Sequence, residues 1–340
     1  MLFNDVTYRF IDKTNCFKNM STVEINRQRK KILSIQIQMF LRIWIGLFIY
    51  QQQYFTLATF SFNQPKFRPN ATWNSIATTF NTQSFVGEGT YGIFVNSNNS
   101  IYIPNRQTGQ IHIWLNENHL SPTKTIEGSL SNPLSLFVTT NGDIYVDNGY
   151  NGRIDKWIRE NERWISVMNV SSQCYGLFID IYENLYCSMT SNHRVVKKWS
   201  SGTATIVAGT GVQGSQSDML NTPWGIFVDI NLDLYVADFG NNRIQLFQLN
   251  QRDGITVAGK GSPNVTIELN QPTGIVLDGD QHLFIVDNNN HRIIGSDENG
   301  FRCIFGCSGG VQQTINYPIL VLCHSIVMEI FMSSITVIIE

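Results

Sequence analysis

The sequence predicts an all-β fold in which one small antiparallel sheet is repeated in tandem around a shared axis, and three observations predict it. A glycine slot is filled by Gly92, Ser135, Gly176, Gly225 and Gly274, and an aromatic slot by Tyr102, Tyr145, Tyr186, Tyr235 and Phe284. Both slots step by 43, 41, 49 and 49 residues along the chain of 340. A third slot, Gln110, Arg153, Arg194, Arg243 and Arg292, keeps the same steps, so length varies only between the third element of one copy and the first of the next. Repetition at this period marks a supersecondary unit that buries its faces only against its neighbours.

Each element of the unit follows from its residues. The first, Gly225-Ile-Phe-Val, and the second, Leu234-Tyr-Val-Ala, are short β-branched and aromatic runs bounded by Asp, Asn and Gly, without helical spacing of the apolar residues. They are strands. The third is Arg243-Ile-Gln-Leu-Phe, reached through Asn148 to Gly152, Phe239 to Asn242 or Asn288 to His291, segments rich in residues that accept a left-handed backbone. Thr205-Ile-Val-Ala-Gly and Thr256-Val-Ala-Gly add a fourth strand in some copies. Four antiparallel strands recurring every 40 to 50 residues or so make the blades of a β-propeller.

The copies Gly-Ile-Phe-Val-Asp, Leu-Tyr-Val-Ala-Asp, Asn-Asn-Arg-Ile-Gln and Thr-Ile-Val-Ala-Gly-Thr-Gly resemble NHL repeats, whose Asn-His-Leu signature Asn290-His291-Arg292-Ile293 partly reproduces. The resemblance covers residues 91–310, specifies the fold more than any biochemistry, and implies six blades, of which five are recognisable. The sixth is expected in residues 311–340. There the pattern stops after Asn316-Tyr-Pro318, and a two-base shift through His324 to Phe331 permits Phe-Asp-Ser-Asn-Gly-Asp-Ile-Tyr, which repeats the end of Asn141-Gly-Asp-Ile-Tyr145. The tail therefore reads as a frame-shifted blade six.

Ahead of the repeats, residues 1–31 form a basic tail ending in Arg27-Gln-Arg-Lys-Lys31, and 32–58 an apolar segment expected to be a signal anchor or transmembrane helix. Gln36, Gln38 and Arg42 interrupt it, so a secreted, cleaved form is the alternative. Residues 59–90 are a linker in which Asn70 to Thr82 is expected to close the ring against the last blade.

Cys174 and Cys187, and Cys303 and Cys307, fall where neighbouring strands bring them together, and read as two disulfides in an oxidising compartment. Sequons at Asn70, Asn98, Asn169 and Asn264 are glycosylation candidates, and another lies at Asn19. Lys and Arg total 24 against 26 Asp and Glu, a net charge of −2 that argues against a nucleic-acid partner. Trp114, Trp157 and Trp199 read as packing residues of one slot at the end of the third strand.

The recurring Arg153, Arg194, Arg243 and Arg292 read as scaffold residues, with Asp238 facing Arg243, Asp287 facing Arg292 and Asp147 near Arg153. His193 and His291 precede that arginine. They would join a metal site only with further converging ligands, so no metal and no cofactor is expected. Asp180, Asp229 and Asp278 read as turn formers. No nucleophile elbow, phosphate loop, His-Glu-x-x-His or kinase signature occurs, so no catalytic residue is assigned and the chain is expected not to be an enzyme.

The function expected from these features is a non-catalytic binding or scaffold module, an extracellular, membrane-anchored propeller presenting loops to a protein or glycan ligand. Its contact surface is expected on the turns between strands two and three: Arg106 and Gln107, Tyr150, Ser191, Phe239 and Asn289. Two alternatives stay open. One is a metal-dependent propeller enzyme similar to peptidyl-hydroxyglycine lyase, which the NHL-like resemblance implies. The other is a cytoplasmic NHL adaptor for RNA or protein.

Overall fold

The computed structural model describes residues 64, 66, 77–79, 86–87, 89–115, 121–263, 266–307 and 335–337, with backbone alone at 77–79 and 335–337. All of them lie in one compact unit, Phe60–Glu340. The basic tail, the apolar segment 32–58, Asn70, Asn264 and nearly all of the expected blade six lie outside the described residues. Among the described residues no helix is long and apolar enough to cross a membrane.

The chain forms five four-stranded antiparallel blades, each with its strands in chain order. After β1 (Ala77–Thr79), blade one holds β2 (Phe94–Val95), β3 (Ile101–Asn105), β4 (Gln110–Trp114) and β5 (Lys124–Ile126). Blade two holds β6 (Leu136–Val138), β7 (Ile144–Asp147), β8 (Arg153–Ile158) and β9 (Arg163–Asn169), and blade three β10 (Cys174–Ile179), β11 (Leu185–Met189), β12 (Arg194–Lys198) and β13 (Ala204–Ala208). Blade four holds β14 (Pro223–Val228), β15 (Leu234–Asp238), β16 (Arg243–Phe247) and β17 (Ile255–Gly259), and blade five β18 (Pro272–Leu277), β19 (Leu283–Asp287), β20 (Arg292–Asp297) and β21 (Gly300–Phe305). The fourth strand is present in all five. Ala77–Thr79 forms a strand that pairs in parallel register with β22 (Ile335–Val337), which lies in the segment where the sixth blade is expected.

The glycine slot exists because inner strands of adjacent blades meet there. A Cβ on Gly225 would stand 2.4 Å from the Thr273 carbonyl oxygen, and one on Gly176 2.7 Å from that of Trp224. Blade two tolerates a side chain because the Ser135 hydroxyl donates to the Cys174 carbonyl of blade three at 2.6 Å. Two residues further along, Phe94, Phe137, Phe178 and Phe227 run from blade to blade with ring centroids 5.0, 5.2 and 5.1 Å apart. All four are buried, and each contributes about 1.5–3 kcal/mol of apolar burial. This chain of rings ties blades one to four, and Val276 holds the same position in the core of blade five.

The turn before each third strand ends in a left-handed residue: Gly109, Gly152, His193, Asn242 and His291 have φ of 69°, 58°, 50°, 55° and 49°. The two histidines belong to this slot because His, like Asn, tolerates that backbone. Asp229 Oδ1 accepts the backbone N–H groups of Asn231 and Asp233, and Asp180 and Asp278 repeat the motif.

Behind the turn, Arg243 Nε donates to Asp238 Oδ2 at 2.7 Å while Nη1 and Nη2 hold the carbonyls of Ser215, Gln216 and Met219. Arg292 repeats the contact to Asp287 at 2.7 Å. Blade two departs from the expectation. Asn148, not Asp147, occupies the Asp238 position, and Arg153 pairs with Asp155 at 3.0 Å. In blade three Met189 fills that position, so Arg194 Nε and Asn192 Oδ1 are buried without a hydrogen-bond partner.

Both disulfides form. Cys174–Cys187 ties β10 to β11 with both residues fully buried, and Cys303–Cys307 ties the end of β21. Trp114 and Trp157 are packing residues, 1% and 5% exposed. Trp199 lies one residue beyond their slot and covers the buried Lys197, whose Nζ is 4.0 Å from its ring centroid.

Candidate functional site

Because each inner strand starts at the end of the axis where the turns between strands two and three lie, the two sets of residues share one face, the hub face. The residue just before the glycine slot opens it. That position reads Tyr91, Leu134, Tyr175, Trp224 and Thr273, so it breaks the repeat beside its most regular residue. No one residue type fills it in every blade, so the period does not reveal it. The signal was a variable aromatic on an invariant frame.

Three of those side chains converge from blades one, three and four. The rings of Tyr175 and Trp224 lie 4.7 Å apart, Tyr91 and Trp224 5.7 Å, and Tyr91 and Tyr175 5.9 Å. Phe239 stacks on Trp224 at 4.8 Å with planes 8° apart, and the Arg106 guanidinium sits 4.6 Å above the Tyr91 ring. All five are half-buried. Aromatic pairs at these separations stabilise one another beyond area burial, so the cluster is a rigid platform over the axis with partly exposed ring surface.

Of the loop residues the sequence pointed to, Arg106 and Phe239 belong to this platform. Tyr150 is 77% exposed on the adjoining turn and acts electrostatically on Tyr175. Gln107, Ser191 and Asn289 are exposed on their own turns, Asn289 donating to Gln271 Oε1 at 2.6 Å. The candidate glycosylation residues Asn98 and Asn169 are exposed.

Beneath the platform lies Asp147, fully buried, at a position filled by Ser188, Ala237 and Val286 in later blades. Its Oδ1 accepts the Cys174 backbone N–H at 3.1 Å and its Oδ2 that of Gly149 at 3.2 Å. Burial outweighs these hydrogen bonds and pushes its pKa up to about 7. Burial, reinforced by Tyr91, Asp147 and Tyr150 and opposed by Arg106, raises the Tyr175 phenol above its ordinary range. The site thus holds a protonated phenol at a ring-lined surface, over a carboxyl group that titrates near neutrality.

Among the described residues no group of three or more His, Cys, Asp or Glu side chains could hold a metal ion. His193 Nδ1 accepts the Thr222 N–H, His282 pairs with Asp278 and His112 with Thr125.

The architecture defines the class, a β-propeller. Within it, the NHL repeat model matches residues 220–247 and 269–295, blades four and five, so the chain carries NHL repeats. No curated protein matches the chain. Among solved structures, a streptogramin B lyase is similar over 68% of this chain and 72% of its own at 17% identity, TM-score 0.52. An auxiliary nutrient binding protein from Bacteroides ovatus is similar over 72% and 76% at 14% identity, TM-score 0.53. A chain of a nidogen/laminin complex is similar over 61% and 75% at 16% identity, TM-score 0.50. These likenesses are of fold, and the fold serves protein and nutrient binding as well as catalysis.

The expectation of a non-catalytic module, and of a chain that is not an enzyme, is corrected: a streptogramin B lyase shares this fold, so the architecture gives no ground for excluding catalysis. That expectation came from the absence of motifs such as the nucleophile elbow, which mark other folds. A propeller assembles its site from single residues on different blades, where no contiguous motif forms.

Proposed function

We propose that this chain is a propeller enzyme of the lyase class, binding a ring-bearing substrate on the hub face. The observation that carries the proposal is the convergence of Tyr91, Tyr175 and Trp224, from three blades, at a position where the repeat otherwise varies freely. A lyase breaks a bond by elimination: a base takes the proton from the carbon beside that bond, the electron pair forms the new double bond, and the leaving group departs with a proton from an acid. Tyr175 is placed for the acid's task by position, its phenol standing at the ring-lined surface as a hydrogen-bond donor to the leaving group. Asp147 does not reach the surface and acts as a positioning residue, fixing the start of β10 through the Cys174 N–H. The fold-level likeness to a streptogramin B lyase favours elimination over other chemistries. The two disulfides favour an oxidising compartment, and with the apolar segment 32–58 support an outward-facing propeller, anchored or secreted.

The test is incubation of the purified chain with streptogramin B and with ring-bearing peptides, read by mass spectrometry. Elimination gives product masses that sum to that of the substrate, whereas hydrolysis adds the mass of water. Trp224→Ala and Tyr175→Phe are expected to lower turnover by about 100-fold each. Turnover unchanged in both variants, or no turnover of any substrate, would refute the proposal.

A further inference from the structure

We propose that the hub site reads a carboxylate on its substrate through Arg106, which makes the substrate class a ring-bearing carboxylic acid. The inference rests on the hub-face site proposed above and deepens it. Arg106 breaks the pattern of its own position, the first residue of the turn between strands two and three, which is Gly149, Thr190, Phe239 and Asn288 in the later blades. Its Nε donates to Asn132 Oδ1 at 2.8 Å and its Nη1 to the Gly89 carbonyl at 2.6 Å. Two neutral acceptors and the Tyr91 face therefore fix the plane of the guanidinium without neutralising it.

The contrast with three of the four scaffold arginines is direct, the fourth being Arg194, whose carboxylate is replaced by Met189. Arg153, Arg243 and Arg292 each pair with an aspartate, whereas among the described residues no carboxylate pairs with Arg106. Its Nη2, with two N–H groups, has no protein acceptor among them. A half-buried guanidinium with its orientation fixed and one side open matches the planar, bidentate geometry of a carboxylate. The neighbouring Tyr91, Trp224 and Tyr175 rings receive the apolar ring of the same molecule. One cation in the cluster balances one negative charge, which fits a carboxylate better than a phosphate dianion.

The experiment is calorimetric titration of the full chain with indole-3-acetate and with its neutral amide, which share a ring and differ in charge. The wild-type protein is expected to bind the acid about tenfold or more tightly than the amide, the size of a charge-assisted hydrogen bond. Arg106→Gln is expected to remove that preference by lowering acid affinity far more than amide affinity, and Arg106→Lys to retain part of it. Equal wild-type affinities for acid and amide would overturn the carboxylate inference while leaving the hub site standing. A preference for the acid that persists in Arg106→Gln would overturn it too. Binding of both probes that is unaffected by Trp224→Ala, or no binding of either at millimolar concentration, would overturn the inference together with the hub-face site.

Discussion

At the scale of single residues, the molecule separates side chains that serve the repeat from those that depart from it. Asp238 and Asp287 serve it, each buried against an arginine. Asp147 departs from it, one position earlier in its strand, buried with backbone N–H partners and no cation. Its stability consequence has a definite sign. Burial raises the native carboxyl to about 7, against 3.8 for an aspartate in water. Below about pH 4 the group is protonated in both states and does not oppose folding. As pH rises from there to about 7, the unfolded chain releases a proton that the native protein retains, so stability falls across that window, by at most about 4 kcal/mol. Asp147→Asn carries no charge and keeps one acceptor oxygen, enough for either the Cys174 or the Gly149 N–H but not for both. Thermal melts between pH 4 and 8 are expected to show a flatter profile for the variant, and superimposable profiles would show that Asp147 does not titrate as its burial implies.

At the scale of the element, the clamp behind each turn explains what was legible in the sequence and what was not. Strands, turn positions and the arginine slot recur in register, so their period reveals them. The left-handed residue before the arginine was also visible, as Gly, Asn or His. The hub platform was not, because Tyr91, Tyr175 and Trp224 lie far apart in sequence and meet only when the inner strands are arranged around the axis. Asp147 was misassigned to Arg153 because a one-residue offset in a strand reverses the side chain's face. The clamp also exposes a defect in blade three, where Met189 replaces the carboxylate and leaves Arg194 Nε and Asn192 Oδ1 buried and unpartnered. Met189→Asp restores the acceptor, and Asn192 can turn its amide to donate as Asn241 does to Asp238 at 2.8 Å. Charge-assisted hydrogen bonds contribute about 1.5–3 kcal/mol each, against about 1.5–3 kcal/mol of methionine burial lost. The net expectation is a stabilisation of about 1 kcal/mol, read as a higher melting temperature. A lower one would mean that apolar packing at position 189 outweighs the restored clamp.

At the scale of the whole molecule, five blades share one core, with a chain of phenylalanines running through blades one to four, yet the segments before and after the repeats meet in a sheet of their own. Ala77, Thr78 and Thr79 pair with Ile335, Thr336 and Val337 in parallel. The front of the unit also reaches blade five, where Gln64 Nε2 donates to the Leu277 carbonyl at 3.1 Å and Lys66 pairs with Asp280 at 2.5 Å. A parallel pair whose strands come from opposite ends of the unit is a non-local contact, and removing either strand removes the whole pairing. Deletion of residues 70–82 and deletion of residues 319–340 should therefore be coupled. Each alone is expected to lower the melting temperature, and the double deletion to cost less than the sum of the two, with a coupling on the order of 0.5–3 kcal/mol. Strict additivity would show that the two segments stabilise the propeller independently and that the β1–β22 pairing contributes nothing. A coupled result would assign the closing role to the pair of segments acting together.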